Sequence, residues 1–302
     1  MPILGAHMSV SGGYFKAVDA AAALEMGAVQ IFTHSPSQWA VKPDGAGGWA
    51  APPLAEDQVK GFRNALMRTG LSRPLAHTSY LINLGTPDEA LWQKSIAGLV
   101  AEIERAGLLG IEDLVHHPGS HVGSGQEAGL KRVADGLRIV LDRTRGSSVR
   151  VDLENTAGQG SCLGASLEDL GRIIDLIGQP DEGRLGICLD TCHLFAAGYS
   201  LDPLPDYNAV IDEVARTSGI ERIRVWHLND SQKDRGSRVD RHAAIGQGKL
   251  GLGPFRHVLN DARFAALPMV LETPKGKAGC EDLDLINLRV LQRLLAEGPI
   301  PA

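Results

Sequence analysis

The chain has 302 residues, 43% of them hydrophobic, and a formal charge of -6. That is ample apolar material for one large core, while the negative balance argues against a nucleic-acid partner held by surplus Lys and Arg alone. Four cysteines without a CxxC pair, no basic-then-apolar leader in MPILGAHMSV and no run near the roughly 20 apolar residues of a membrane span leave a soluble, reduced, cytoplasmic chain with no membrane partner as the expectation.

Short β-rich runs bounded by Gly, Pro, Asn and Ser then follow one another: ILGAHMS from Ile3, AVQIFTHS from Ala28, PLAHTSY from Pro74, DLVHHPGS from Asp113, VRVDLENT from Val149, LGICLDTCH from Leu185, IRVWHLND from Ile223 and PMVLETP from Pro268. Between them, Leu, Ile, Val and Ala recur at three- and four-residue steps over Lys16 to Met26, Glu89 to Ala106, Leu130 to Thr144, Leu167 to Ile177 and Tyr207 to Thr217, which predicts helices. Each strand run is apolar until its last residues, as expected of a strand buried on both faces whose C-terminal end emerges at a surface. Eight such units fit an α/β fold of the (β/α)8 TIM-barrel type, one domain over residues 1–302. A doubly wound open sheet is the alternative, but GAHMSVSGG after the first strand supplies no GxGxxG. The stretch VKPDGAGGWAAPPLAED has no periodicity and predicts a long loop on the C-terminal face, with Trp39 and Trp49 as candidate substrate contacts.

Potential metal ligands terminate strand after strand: His77, His117, Glu154, Asp190 with His193, His227 and Glu272. In a TIM barrel these ends converge on one rim. Asp240 and His242 follow the seventh strand, and their i, i+2 spacing puts both side chains on one face of an extended segment. A lone histidine at a strand end is more often structural than ligating. Nine ionisable groups at one mouth are another matter, because without counter-ions their desolvation and repulsion would be prohibitive. Imidazoles mixed with carboxylates suit Zn2+, and also Mn2+ or Fe2+, better than Mg2+ or Ca2+. Three ions fit this set if one carboxylate bridges.

The segments HTSYLINLG, HHPGSH, LENTAGQGS, DTCHLFAAGY, HLNDS, GSRVDRHAAIGQG and LETP resemble the endonuclease IV family of apurinic/apyrimidinic (AP) endonucleases along nearly the whole chain. The resemblance implies a DNA repair hydrolase that cuts the phosphodiester 5' to an abasic site in double-stranded DNA, leaving 3'-hydroxyl and 5'-deoxyribose-phosphate ends, and that also clears blocked 3' ends. It implies three Zn2+ ions, with Mn2+ an option at one position: His77 and His117 on the first, Glu154 bridging to a second completed by Asp190, His227 and Glu272, and His193, Asp240 and His242 on the third. Glu154 is then the catalytic candidate. Tyr80 and Leu81 resemble family residues that wedge into DNA whose damaged nucleotide has been flipped out.

Lys233, Arg235, Arg238 and Arg241 form a basic cluster beside the ligands, suited to backbone phosphates. His7, Asn229 and Asp230 are read as supports behind the ligands, the last two for His227. The resemblance departs at Pro36 and Ser37, where relatives often carry longer polar side chains, and at Thr78 and Gln232, where Asp and Lys are frequent. A monomer is expected. The competing reading is a metal-dependent sugar isomerase or epimerase on a related barrel, which needs no counterpart of the His193, Asp240, His242 group. A non-catalytic DNA-binding module has no use for such a cluster.

Overall fold

Every one of the eight apolar runs forms a strand in the computed structural model, which describes residues 1–178 and 183–300. The strands are β1 (Ile3–His7), β2 (Ala28–Phe32), β3 (Arg73–His77), β4 (Asp113–His116), β5 (Arg150–Glu154), β6 (Leu185–Asp190), β7 (Ile223–His227) and β8 (Pro268–Leu271). Each pairs in parallel with the next, and β1 closes the ring against β8, for example through Leu4 and Met269. The helices that return the chain are α1 (Tyr14–Ala23), α2 (Glu56–Thr69), α3 (Glu89–Leu109), α4 (Gln126–Arg143), α5 (Leu167–Ile177), α6 (Thr191–Ala197), α7 (Leu204–Thr217), α8 (Gly253–Asn260) and α9 (Leu283–Ala296). This is the closed parallel TIM barrel that the alternation predicts. No helix of the described residues is long and apolar enough to cross a membrane.

The period-2 alternation of strand side chains sorts the barrel into two cores. Outward residues such as Val29, Ile31, Leu114, Leu153, Leu189 and Met269 pack under the helices in one continuous cluster. Inward residues Ala28, Leu75, Val115, Cys188, Val225 and Val270 meet in a separate plug across the barrel axis. Two positions further along the same strands the chain reaches Gln30, His77, His117, Asp190, His227 and Glu272. The strand geometry that buries the plug therefore lifts one polar side chain per strand onto a common level above it.

The stretch after β2 contains a short antiparallel hairpin, Lys42–Pro43 with Trp49–Ala50. Both Trp39 and Trp49 lie against the Lys94 ammonium of α3, each with 4.5 Å from Nζ to the ring centroid, and pack on Ala97 and Ala101. A cation–π sandwich and apolar packing hold these half-buried rings to α3.

Candidate metal centre

Strand ends, one helix start and a short antiparallel pair outside the barrel place the nine predicted side chains. Glu154 ends β5 and is fully buried, with its two oxygens turned to different neighbours. Oε2 lies 3.1 Å from His77 Nε2 and 2.7 Å from His117 Nε2, while Oε1 lies 3.0 Å from His227 Nδ1. Glu272 Oε2 approaches the same His227 nitrogen at 3.2 Å. Asp190 both ends β6 and caps α6, its Oδ1 accepting from the His193 backbone N–H at 2.8 Å. That cap fixes the spacing of DTCH and carries His193 to the cluster. Asp240 and His242 arrive through a second antiparallel pair, Asp230–Ser231 with His242–Ala243. Asp240 then sits 3.3 Å from His193 Nε2 and 3.2 Å from His242 Nε2.

The donor atoms fall into overlapping groups, each within the span one ion could bridge: His77, His117 and Glu154; Glu154, Asp190, His227 and Glu272; Asp190, His193 and His242. Asp240 closes on His242 in a further group with Cys192. All nine predicted ligands are thus brought together, with Asp190 facing two groups as Glu154 does.

The hydrogen bonds on the far side of each imidazole decide which nitrogen faces inward. His77 Nδ1 lies 2.8 Å from the Thr78 carbonyl, His193 Nδ1 2.9 Å from that of Asn155, and His242 Nδ1 3.1 Å from that of Glu272. A carbonyl only accepts, so these Nδ1 atoms carry protons and Nε2 is the nitrogen turned to the carboxylates, free to ligate a cation once it holds no proton of its own. The Nε2 atoms of His193 and His242 are buried and make no hydrogen bond. Orphaned imidazole nitrogens about 3.3 Å from carboxylate oxygens match the edge of a tetrahedron around Zn2+ with bonds of about 2.0–2.1 Å. The donor set and its spacing therefore fit a divalent metal.

Electrostatics give the same answer. Burial alone would depress the His242 imidazole, but Asp190 and Asp240 outweigh it and push it up to about 9. Burial opposes protonation of His193 too, and Asp190, Asp240 and Glu154 carry it well above the usual histidine range. Glu154 is held well below the carboxylate range, against the burial that would raise it, by His117 and His227. A metal-free cluster draws protons onto its imidazoles to balance its carboxylates. Divalent ions satisfy the same demand while leaving the imidazoles neutral.

The supporting residues are arranged differently from the prediction. Neither Asn229 nor Asp230 bonds the His227 ring. Asn229 Nδ2 donates to Asp190 Oδ2 at 2.6 Å and its Oδ1 accepts from the Glu272 backbone N–H at 2.8 Å, so it sets two other ligands. The fully buried Asp230 carboxylate accepts from the backbone N–H groups of Ser231, Gly246, Gly248 and Leu250, fastening the loop behind Asp240 and His242. The residue that does bond His227 is Gln30, whose Oε1 lies 2.9 Å from Nε2, and sequence reasoning missed it. His7 reaches Gln30 at 3.0 Å and Glu272 at 3.5 Å rather than standing among the ligand groups. A second missed residue, Glu102 of α3, is buried behind the rim, where it accepts from the Ser79 backbone N–H at 3.0 Å and the Thr33 hydroxyl at 3.2 Å. Arg105, one turn on, donates to the carbonyls of Thr33 and Pro52.

On the rim, Tyr80 is 69% exposed although its ring sits edge-on to Phe32 at 5.4 Å, and Leu81 beside it is half-buried. Lys233, Arg235, Arg238 and Arg241 are all exposed, and among the described residues none pairs with a carboxylate. The Gly236 and Arg238 backbone N–H groups bond Phe195 and Ala196 at the end of α6, which anchors this basic loop beside the cluster. Arg238 lines a cavity of about 600 Å3 together with Cys162, Ser166 and Tyr199.

The family model of the xylose isomerase-like TIM barrels matches residues 18–292. A relative from Chloroflexus aggregans named probable endonuclease 4 is 46% identical over 98% of this chain and 100% of its own length. The solved endonuclease IV from Thermus thermophilus superposes with a TM-score of 0.81 at 39% identity, covering 98% of this chain and 100% of that one. A D-tagatose 3-epimerase-like protein follows at TM-score 0.72 but only 17% identity, covering 97% of each chain, which shows a common fold and no more. With its strand ends carrying the matching segments, the chain belongs to the endonuclease IV family of the xylose isomerase-like TIM barrels.

Proposed function

We propose that this protein is a DNA repair AP endonuclease, a metal-dependent hydrolase that incises double-stranded DNA on the 5' side of abasic sites and clears blocked 3' ends. The observation that carries the reading is the convergence of nine imidazole and carboxylate side chains, in overlapping groups, at one barrel mouth. His77, His117 and Glu154 would hold one ion, Glu154, Asp190, His227 and Glu272 a second, and His193, Asp240 and His242 a third, with Zn2+ preferred and Mn2+ acceptable at one position. Bound there, such ions supply a water acidic enough to be hydroxide near pH 7 and neutralise charge on phosphoryl oxygens.

The chain's own residues do the rest. Glu154 holds its two carboxylate oxygens toward two groups at once, so it keeps them at a fixed separation. Tyr80 and Leu81 stand on the rim where an unstacked duplex would be propped open. Lys233, Arg235, Arg238 and Arg241 offer unpaired cations for backbone phosphates, which positions the strand without reading bases. About four ligand carboxylates against three divalent ions turn the mouth from negative to positive, so a chain of net charge -6 attracts DNA once loaded. The protein acts as a monomer in the cytoplasm.

The test is incubation of metal-replete protein with a duplex carrying one tetrahydrofuran abasic analogue. The expected product is a nick immediately 5' to the analogue with a 3'-hydroxyl end, and intact duplex refutes the reading. The sugar epimerase alternative rests on fold likeness alone, and turnover of ketohexoses without any nicking would revive it.

A further inference from the structure

Eight strands lift one inward side chain each to the level above the apolar plug, and six of those side chains are predicted ligands. The remaining two, His7 of β1 and Gln30 of β2, are neighbours in the sheet. Gln30 is fully buried and its amide touches three groups: Oε1 at 2.9 Å from His227 Nε2, and Nε2 at 2.7 Å from Glu272 Oε1 and 3.0 Å from His7 Nδ1. An ionised carboxylate can only accept, so the atom near Glu272 must be the amide NH2 and the atom near His227 must be the carbonyl. His227 then has to donate from Nε2, which leaves its Nδ1 lone pair facing Glu154 and Glu272. His7, receiving the second amide proton at Nδ1, must be neutral with its own proton on Nε2.

We propose that Gln30 is the positioning residue of the Glu154, Asp190, His227 and Glu272 group, one amide selecting the His227 nitrogen that faces the metal while restraining the Glu272 carboxylate. His227 differs from His77, His193 and His242, which present Nε2 and anchor Nδ1 on a backbone carbonyl. Lacking such a carbonyl, it depends on a side chain for its orientation. The inference rests on the metal reading of the cluster, and its test is built to separate the two.

Wild type, Gln30→Met and Gln30→Glu are compared in the zinc-loaded state. Zinc affinity is measured by chelator competition, and the His227 Nε2–H resonance is followed in protein labelled with 15N-histidine. Gln30→Met, of similar length but without polar atoms, should weaken the most labile zinc about 10- to 100-fold and lose the protected Nε2–H signal. Gln30→Glu keeps an acceptor for His227 and should keep that signal. An unchanged affinity and signal in Gln30→Met, or loss of the signal in Gln30→Glu, overturns the role of Gln30 while leaving the metal centre intact. A wild-type protein that binds no zinc overturns the metal reading and this inference with it.

Discussion

Stripping the metal should make the stability of this protein fall with rising pH in a window where the loaded protein does not. In the metal-free cluster the His242 imidazole is raised from 6.5 to about 9 by Asp190 and Asp240, against the burial that opposes it. Its folded pKa therefore lies above its unfolded one, so the folded state binds the extra proton between these values. The corresponding stabilisation is complete below about pH 6.5 and is lost as pH climbs through 9. At about 1.36 kcal/mol per unit, a rise of this size corresponds to about 3 kcal/mol, and the His242 side chain is buried enough to need no large discount for solvent. His193 is shifted in the same direction and adds to the slope. In the loaded protein the same imidazoles are neutral ligands, and weaker proton competition makes metal binding tighter as pH rises. Urea unfolding of chelator-stripped and zinc-loaded protein at pH 6, 7.5 and 9 reads both curves. The stripped curve should descend by a few kcal/mol, the loaded one should stay level or rise, and His242→Gln should flatten part of the stripped descent. A stripped protein equally stable at pH 6 and pH 9 would refute the argument that protons stand in for cations at this site.

Glu154→Gln removes the charge that faces two ligand groups, so turnover on abasic duplex should fall by orders of magnitude while DNA affinity changes far less; equal losses in a filter-binding assay would place Glu154 outside the chemistry. Tyr80→Ala, at a side chain 69% exposed, should shift the unfolding free energy by less than about 0.5 kcal/mol yet weaken abasic-duplex binding by about 1–3 kcal/mol, and unaltered binding would remove Tyr80 from the interface. Replacing Arg238 and Arg241 together with Ala should flatten the slope of log K against log salt by about 0.9 for each phosphate no longer neutralised, and an unchanged slope would mean that neither touches the backbone. Burial pushes the Glu102 carboxyl from 4.5 up to about 7, so its folded pKa is raised and stability falls as pH rises through that interval. Glu102→Gln should therefore stabilise the fold above pH 7 by roughly 1–3 kcal/mol while leaving it near wild type at pH 4.5; destabilisation at pH 8 would show that the carboxylate is charged and needed there.

The barrel was legible because each strand follows the same pattern of burial and exposure, apolar until its end and polar where it emerges, and all eight runs lie where strands form. Helix α2 was hidden behind the irregular loop: Val59, Phe62 and Leu66 recur at helical steps, but EDQVKGFRNALMRT buries only Phe62 and Ala65 completely and is otherwise dominated by polar residues. The nine clustered residues could be named because His, Asp and Glu at strand ends are chemically conspicuous. Their supports were not, for a definite reason: a support is defined by what it touches, and pairings at sequence distances such as Gln30 to His227 or Glu102 to Ser79 leave no local pattern. Asn229 and Asp230 show how adjacency misleads. They follow His227 at i+2 and i+3, and a strand sends successive side chains to opposite faces, so Asn229 turns to Asp190 and Asp230 turns away into the loop that carries Asp240 and His242. Gln30 did leave a trace, as the single polar residue inside AVQIF and two positions beyond the plug residue Ala28, the same offset that separates His77 from Leu75, Asp190 from Cys188 and His227 from Val225. Period-2 counting from the plug, applied to every strand, marks His7 and Gln30 as members of the same ring. A ring of eight with only six ligands leaves β1 and β2 to supply the hydrogen bonds that hold Glu272 and His227, which is why the two strands without ligands are still polar at that level.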